Sequence, residues 1–258
     1  MIRPQRRPMV AGAQTKAVEA PTVVVCEDGW IEVKDWEAYR VLSGVTESKP
    51  ASWSKESTDN LRLVHMALGI LTEVDELFPA NSLPGLAADN HFEELGDMLW
   101  YIAGFQNILA ANGIVTGQDL FGPSVSRATV TAEVLQENYF TVRRDCEVIS
   151  DLAKRILAYG NGSFPAETQA IALYQRCFSV VMSSYVIVAA TKGDCASLQL
   201  IGEGNINKLK KRYPEGFNPN DAIKRQLTVE AKILAEAAKR KSNSGVENVS
   251  VQAKHDLS

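Results

Sequence analysis

The spacing of hydrophobic positions changes once along this chain, from alternation near the N-terminus to helical periodicity afterwards. Residues 22–34 alternate apolar and polar side chains around Asp28-Gly29, a pair that favours a tight turn, and so predict one short β-hairpin. From Asp35 onward, apolar residues recur every three or four positions, which predicts helices. The pattern therefore predicts an all-α fold, an antiparallel helical bundle with a short N-terminal hairpin.

Capping residues and helix breakers set the expected boundaries. Asp35 is expected to cap the first helix and Ser57 or Thr58 the second, which ends before Pro79. Gly113 is expected to close the third helix in the C′ position. The expected helices cover about 35–43, 57–78, 90–112, 131–159, 166–192, 196–212 and 219–240, with a loop at 114–130.

Composition narrows the organisation and the class of protein. The chain has 258 residues, of which 45% are hydrophobic, and its net charge of −4 lacks the basic excess typical of nucleic-acid binding. We expect a flexible arm at 1–20, one helical domain at 21–240 and a flexible tail at 241–258. The four cysteines form no CxxC pair, which favours a reducing cytoplasm over a disulfide framework or a zinc site.

Membrane segments are not expected. The longest apolar run, 178–190, contains three serines and is too short and too polar for a bilayer. The arginines near the N-terminus are not followed by the apolar stretch of a secretory signal. We therefore expect a cytoplasmic protein with neither a membrane nor a nucleic acid as partner.

Two short acidic motifs carry the candidate chemistry. Glu73 and Glu76 form an ExxE motif, and Glu94 and Asp97 form an ExxD motif on the next predicted helix. Residues three apart share a helix face, and the rest of both helices is strongly apolar. Because charged side chains are rarely buried unless they are paired or bind metal, the two strips favour a shared cation site over exposed surface charge. Asp75 points roughly opposite to Glu73 and is not expected to be a ligand.

The kind of ligand indicates which cation would bind. All four groups are hard oxygen donors, which suits Mg²⁺, with Mn²⁺ as a possible substitute. Di-iron bundles add a histidine three residues after a glutamate, whereas His65 and His91 stand elsewhere and are expected to be structural. Asn90 and Glu93 are expected to form a capping box, with a place for Glu93 near the metal as the alternative.

Three segments of the chain carry a family resemblance. HMALGILTEVDELF is followed by HFEELGDMLWYIAG, and a later block contains NINKL and then RYPEGF, at 205–217. Together with DWEAYRVLSGVTES, these segments resemble the MazG-like all-α nucleoside triphosphate pyrophosphohydrolases. The resemblance covers roughly residues 35–112 and 147–225.

The resemblance implies an activity and a set of site residues. The activity is hydrolysis of a nucleoside triphosphate to the monophosphate and pyrophosphate, by attack of water on the α-phosphorus, with a purine deoxynucleotide such as dGTP favoured. The catalytic metal ligands would be Glu73, Glu76, Glu94 and Asp97. The candidate substrate-binding residues are Lys154, Asn205, Lys208, Arg212 and Tyr213. A phage or bacterial source would suit such an enzyme.

One departure from the family pattern suggests an internal duplication. Short members of the family carry a lysine and a Tyr-Gly pair between the two acidic motifs, whereas Lys154 and Tyr159-Gly160 follow both motifs here. Residues 98–113 and 178–193 share an apolar pattern that ends in glycine. We therefore hypothesise a metal-binding half and a degenerate second half, which cover 35–113 and 131–225. Generic helix periodicity is the alternative.

Other functions and assemblies stay open at this point. A relative acting on dUTP or on phosphoribosyl-ATP would share the helical architecture, and a non-catalytic helical interaction protein is a third possibility. A homodimer or a tetramer is expected, because two acidic helices alone leave large apolar faces. The surfaces expected to be buried, within or between chains, are Trp100, Tyr101, Phe105 and residues 180–188.

Overall fold

The computed structural model describes residues 23–47, 55–79, 90–122, 130–160, 163–192, 196–214 and 227–244. Within them, the chain forms one antiparallel hairpin, of β1 (Val23–Val25) and β2 (Ile31–Val33). It also forms seven helices there: α1 (Trp36–Val45), α2 (Lys55–Leu77), α3 (His91–Ala111), α4 (Ala132–Tyr159), α5 (Glu167–Lys192), α6 (Leu198–Arg212) and α7 (Leu227–Ser244). The expected all-α fold with a small hairpin is confirmed.

The hairpin turns where the sequence predicts it and then docks on α6. Gly29 has a φ of +80°, which the Asp-Gly pair permits, and the Trp30 amide donates to Asp28 Oδ1 at 3.0 Å. On the outer edge of β2, Asn207 of α6 bonds both backbone groups of Ile31, with 2.9 Å for each bond. Glu203, one helical turn earlier, accepts the Val33 amide at 3.2 Å. Side chains of one helix face therefore occupy the place of a third strand.

Local capping explains most of the helix boundaries. The Asp35 side chain accepts the Ala38 amide at 2.7 Å, and α3 ends before Gly113, whose φ is +78°. The expectation for α2 is wrong, because this helix already includes Lys55 and both proposed caps, Ser57 and Thr58, lie inside it.

The expected flexible tail also needs a correction at its start. Helix α7 continues to Ser244, so residues 241–244 are helical. The expected arm at 1–20, the loop residues 123–129, the start of the last expected helix at 219–226, and residues 245–258 lie outside the described residues.

Helices α2 and α3 form an antiparallel pair with two close contacts at glycines. A Cβ on Gly69 would lie 2.2 Å from Tyr101 Cε1, and one on Gly104 would lie 2.7 Å from Met66 Sδ. Farther from the acidic motifs, Asn112 Nδ2 of α3 donates to Asp59 of α2 at 3.0 Å. Because the two helices run antiparallel, later residues of α2 lie opposite earlier residues of α3. This order brings the two acidic motifs to the same level of the bundle.

Helices α4 and α5 form a second closely packed pair beside the first. The α4 side chain of Asp145 is fully buried and accepts from Arg176 of α5 at 3.0 Å. Phe78 at the end of α2 packs against Tyr139 of α4, with ring centroids 5.9 Å apart. The bundle thus contains two successive helical hairpins, the arrangement that the duplication hypothesis requires.

Helix α5 supplies much of the core between these pairs. By length and apolar composition it is the one helix of the described residues that meets the criteria for crossing a membrane, and 56% of its most apolar window is buried inside the bundle. The core helix of a soluble protein meets the same criteria. The apolar segment expected to be too short for a bilayer is therefore part of a longer helix.

Candidate metal centre

Three carboxylates from two helices meet at one point of the bundle. Glu73 and Glu76 of α2 and Glu94 of α3 each offer an oxygen, and these oxygens all lie within 4.8 Å of one another. Glu94 is 2% exposed, Glu73 is partly buried and Glu76 is exposed. The group therefore has a buried floor and a side that faces solvent. The sequence prediction that the two acidic motifs would converge is met by these three residues.

Burial and neighbouring carboxylates perturb the ionisation of two of these groups, Glu73 and Glu94. Burial, followed by the charge of Asp97 and a hydrogen bond with Glu94, raises the pKa of Glu73 to about 9. Burial is also the largest cause of a rise in the pKa of Glu94 to about 7. Both acids normally titrate near 4.5. Near neutral pH, Glu73 therefore holds a proton and shares it with Glu94, because nothing else described in this group compensates a second negative charge.

The fourth predicted ligand, Asp97, has a different surrounding. Both of its carboxylate oxygens accept from Lys208 Nζ of α6 at 2.7 Å. The Lys208 side chain is fully buried, and its ammonium also donates to Glu93 Oε1 at 3.3 Å. The nearby carboxylates raise the pKa of Lys208 against the opposing effect of burial, which is the largest influence. Asp97 lies close enough to affect Glu73 and Glu94, yet a permanent cation already neutralises it.

A second hydrogen-bond partner holds Asp97 from α6. Asn205 Nδ2 donates to Asp97 Oδ1 at 2.6 Å, and the side-chain oxygen of Asn205, Oδ1, accepts from the Tyr39 hydroxyl of α1 at 3.0 Å. Asn205 packs directly on the backbone of α3, since a Cβ on Gly96 would lie 3.0 Å from the Asn205 Cβ. Two of the predicted substrate-binding residues, Asn205 and Lys208, therefore contact a predicted metal ligand.

The capping box expected at the start of α3 does not form as proposed. The Asn90 side chain makes no capping hydrogen bond and its amide instead contacts Glu94 Oε1. Asn90 has φ and ψ of −83° and 18°, away from the extended geometry of an N-cap that receives a backbone amide. Glu93 faces Lys208 across the helix interface. The expectation of the cap is wrong, and both polar residues lie beside the acidic group.

Aromatic side chains flank the carboxylates on α3. Tyr101 lies across Gly69, its edge meets His65 with ring centroids 5.8 Å apart, and Trp100 packs on its other side at 5.0 Å. Burial, followed by the charges of Glu73 and its neighbours, raises the pKa of the Tyr101 hydroxyl. Trp100 is anchored by a bond from its indole N–H to Thr46 Oγ1 at 2.8 Å. Trp100 and Tyr101, expected to be buried within or between chains, pack within the chain and are partly buried.

Two further predicted substrate ligands, Arg212 and Tyr213, are engaged in packing: Arg212 pairs with α7, and Tyr213 is buried. Arg212 Nε donates to Glu230 Oε1 of α7 at 2.9 Å, and a second guanidinium nitrogen contacts the other carboxylate oxygen. Both side chains are largely buried. Tyr213 is 8% exposed and its ring lies beside the Arg212 guanidinium, 5.9 Å away. In the described structure, Arg212 therefore ties α6 to α7.

The remaining predicted ligand, Lys154, lies on the surface of α4. Its ammonium pairs with Asp151 at 2.8 Å, and Arg155 pairs with the same carboxylate at 2.7 Å. The Lys154 side chain is 65% exposed. Asp75 is exposed as well and its charge acts on Cys146 of α4, on the other side of α2 from the three-carboxylate group. The expected orientation of Asp75 agrees with this placement.

The three-carboxylate group has the composition of a Mg²⁺ site. It offers hard oxygen donors, and burial, followed by the neighbouring carboxylates, raises the pKa values of Glu73 and Glu94. A divalent cation would supply the missing positive charge and displace the shared proton. The donor set therefore fits Mg²⁺, with Mn²⁺ as an alternative.

Comparisons of the chain with protein-family models, with curated proteins and with solved structures found no match.

Two residues of this region were not expected from the sequence. Tyr39 lies on an apolar face of α1, where the sequence pattern is that of any core aromatic residue. Glu230 lies on α7, far along the chain from the acidic motifs. The one available signal for Tyr39 is its hydroxyl, since a buried tyrosine needs a hydrogen-bond partner.

Proposed function

We propose that this protein hydrolyses a nucleoside triphosphate to the monophosphate and pyrophosphate in a Mg²⁺-dependent reaction. The observation that supports the proposal is the convergence of Glu73, Glu76 and Glu94 within 4.8 Å on two antiparallel helices. Such a group is costly without a cation, because its carboxylates repel one another and one must stay protonated. A MazG-like chemistry fits this group, and a purine deoxynucleotide such as dGTP is the first substrate to test.

The three carboxylates are the metal ligands in this proposal. Glu73, Glu76 and Glu94 hold the metal, and Glu76 lies on the solvent side from which a triphosphate would arrive. Bound Mg²⁺ would neutralise phosphate charge and lower the pKa of the attacking water.

Asp97 and the cations of α6 complete the proposed site. Lys208 forms an ion pair with Asp97 beside the other acids and brings a positive charge to this end of the site. Asn205 orients the same carboxylate. Phosphate contacts from Lys154 and Arg212 stay part of the proposal only if their ion pairs with Asp151 and Glu230 rearrange.

The test is a panel of nucleoside triphosphates, dUTP and phosphoribosyl-ATP, assayed for pyrophosphate with and without Mg²⁺. We expect pyrophosphate and monophosphate in equal amounts, and label from oxygen-18 water on the monophosphate. Label on pyrophosphate would mean attack at the β-phosphorus. No turnover of any substrate, together with no Mg²⁺ binding, would favour a non-catalytic interaction protein.

A matched pair of variants separates the site from general effects of charge. Glu73→Gln should reduce turnover by at least a hundredfold, because it removes a charged ligand from the acidic group. Asp75→Asn removes an acid two residues away on the opposite side of the same helix and should leave turnover unchanged. Equal losses in both variants would contradict the assignment of the site. Lys154→Ala should reduce turnover only if the second helical pair contributes cations to substrate.

A further inference from the structure

A chain of hydrogen bonds connects α1 to the acidic group through α6. The Tyr39 hydroxyl lies 3.0 Å from Asn205 Oδ1, and Asn205 Nδ2 lies 2.6 Å from Asp97 Oδ1. Tyr39 is fully buried and Asn205 is 1% exposed. With water excluded from both side chains, each bond must be made within the protein.

The direction of these bonds fixes the orientation of the Asn205 amide. A carboxamide has one accepting oxygen and one donating nitrogen at similar positions, so either end can face a partner. The Asp97 carboxylate, which only accepts, selects the nitrogen end, and the Tyr39 hydroxyl donates to the oxygen and anchors the other end of the amide. Were the amide reversed, its oxygen would face the Asp97 carboxylate and repel it. A phenylalanine at position 39 would leave the buried amide oxygen without its donor and would free that end of the amide to move.

The surroundings leave little room for another arrangement. The Tyr39 ring stacks on Trp36 with centroids 5.1 Å apart and meets Phe121 edge-on at 5.7 Å. The hydroxyl also lies 3.4 Å from the Gly96 carbonyl oxygen, a longer contact than that with Asn205. Asn205 in turn packs on Gly96 with no space for a Cβ. Packing therefore sets the position of the Tyr39 ring and holds its hydroxyl at hydrogen-bond distance from Asn205.

We propose that Tyr39 is a positioning residue of the hydrolytic site, which acts through Asn205 to hold the Asp97 carboxylate beside Glu73 and Glu94. The inference rests on the proposed function, because the orientation of Asp97 matters for catalysis only if the acidic group binds metal and substrate. Tyr39 itself contacts neither. It belongs to the first helix and so couples that helix to the site.

The test uses Tyr39→Phe, which keeps the ring and removes only the hydroxyl. We expect Mg²⁺ affinity, measured by calorimetry without nucleotide, to fall about fivefold, the value of one hydrogen bond. We expect kcat to fall by a similar factor with KM nearly unchanged. The matched control is Tyr185→Phe on α5. It removes another buried hydroxyl, which donates to the Ala196 carbonyl oxygen at 3.2 Å. This control should change neither value.

A double-mutant cycle tests whether the effect passes through Asn205. Asn205→Ala should weaken Mg²⁺ binding at least as much as Tyr39→Phe, and the double variant should match Asn205→Ala alone. The side-chain amide signals of Asn205 in an NMR spectrum, identified by their absence in Asn205→Ala, should move in Tyr39→Phe and stay in Tyr185→Phe.

The outcomes separate this inference from the function on which it rests. If the unchanged protein binds Mg²⁺ and hydrolyses substrate while Tyr39→Phe behaves identically, the inference is wrong and the function stands. Additive effects of the two substitutions would also overturn it, because Tyr39 would then act independently of Asn205. If the unchanged protein neither binds Mg²⁺ nor hydrolyses any substrate, the proposed function fails and the positioning role fails with it.

Discussion

Lys208 Nζ lies 2.7 Å from both carboxylate oxygens of Asp97, although the two residues are 111 positions apart in the chain. The lysine is completely buried, so this ion pair is the main compensation for its desolvation. A residue of α6 is thereby the ion-pair partner of the aspartate in the ExxD motif on α3.

Replacement of Lys208 by methionine should destabilise the protein. The substitution keeps the volume of the side chain but leaves Asp97 without its cation, which we expect to cost about 3 kcal/mol of unfolding free energy. Saturating Mg²⁺ should recover part of this loss, because a divalent ion nearby replaces the missing charge. Urea unfolding with and without Mg²⁺ measures both effects. A loss that Mg²⁺ leaves unchanged would show that Asp97 lies outside the influence of the metal.

The raised pKa values of Glu73 and Glu94 predict how stability depends on pH. Between their ordinary value of 4.5 and the folded values of about 9 and about 7, the native protein binds more protons than the unfolded chain. The free energy of unfolding should therefore decrease as pH rises through this range, and should be highest at the acidic end. Glu73→Gln should flatten the decrease, whereas Asp75→Asn should not. Urea titrations at several pH values without divalent cations check this expectation.

Mg²⁺ affinity should change with pH in the opposite direction. Binding requires ionised carboxylates and so displaces the protons that Glu73 and Glu94 retain. We expect affinity to rise about tenfold per pH unit between pH 7 and 9, while one proton is displaced, and to level off above the pKa of Glu73. Calorimetry in buffers with different ionisation enthalpies counts the protons released. Affinity independent of pH would contradict the shared proton.

Arg212 and Glu230 should act together as a structural pair. Arg212→Ala leaves a buried carboxylate without its partner and should cost about 3 kcal/mol, as should Glu230→Ala, with the double variant costing less than their sum. Thermal unfolding gives these values. Kinetics adds a distinction: if Arg212 binds phosphate, Arg212→Ala should raise KM while Glu230→Gln does not. Equal KM values in both variants would limit Arg212 to joining α6 and α7.

The close contact of Gly69 with Tyr101 gives another stability test. A methyl group at Gly69 would overlap the Tyr101 ring, so Gly69→Ala should destabilise the protein by about 1–2 kcal/mol despite the better helix propensity of alanine. Gly44→Ala on α1 is the control, because its nearest neighbour, Asn107 Nδ2, would be 3.5 Å from the new Cβ. Stabilisation of both variants by the same amount would show that Tyr101 moves freely.

Assembly into a homodimer or tetramer remains a prediction. Phe105 and most of residues 180–188 pack inside the chain, so they are not the surfaces that would join copies. Large apolar side chains are exposed instead on α4, namely Val134, Phe140, Leu157 and Tyr159. Light scattering at micromolar concentration should give at least twice the mass of 28.2 kDa. Phe140→Glu should lower that mass if α4 forms the contact, and a monomeric unchanged protein would contradict the prediction.

The sequence predicted local features well because their causes are local. The Asp28-Gly29 turn, the Asp35 cap and the Gly113 termination each depend on a few neighbouring residues, and helical periodicity marks a buried face wherever it occurs. The meeting of ExxE with ExxD also followed, because two consecutive antiparallel helices bring matching positions together. The start of α2 was placed too late because a serine or threonine fits an N-cap and an interior helix position alike.

The sequence pattern could not predict ion pairs between residues that lie far apart in the chain. A lysine on a helix gives the same pattern whether it faces solvent or a carboxylate, so the burial of Lys208 depends on how α6 crosses α3. The same applies to Arg212, whose partner lies on α7. The Asn90–Glu93 pair matched a capping box in spacing, but Lys208 and Glu94 offered these side chains charged partners instead.

The docking of β2 on α6 has a consequence for solubility. Exposed strand edges attract strands of other molecules and lead to intermolecular sheets. Here Gln199, Glu203 and Asn207, spaced one helical turn apart, satisfy the outward-facing backbone groups of Ile31 and Val33. Side chains of α6 thus cover the outer edge of the hairpin, and Asn207→Ala would leave the backbone groups of Ile31 open to pairing with a strand of another molecule.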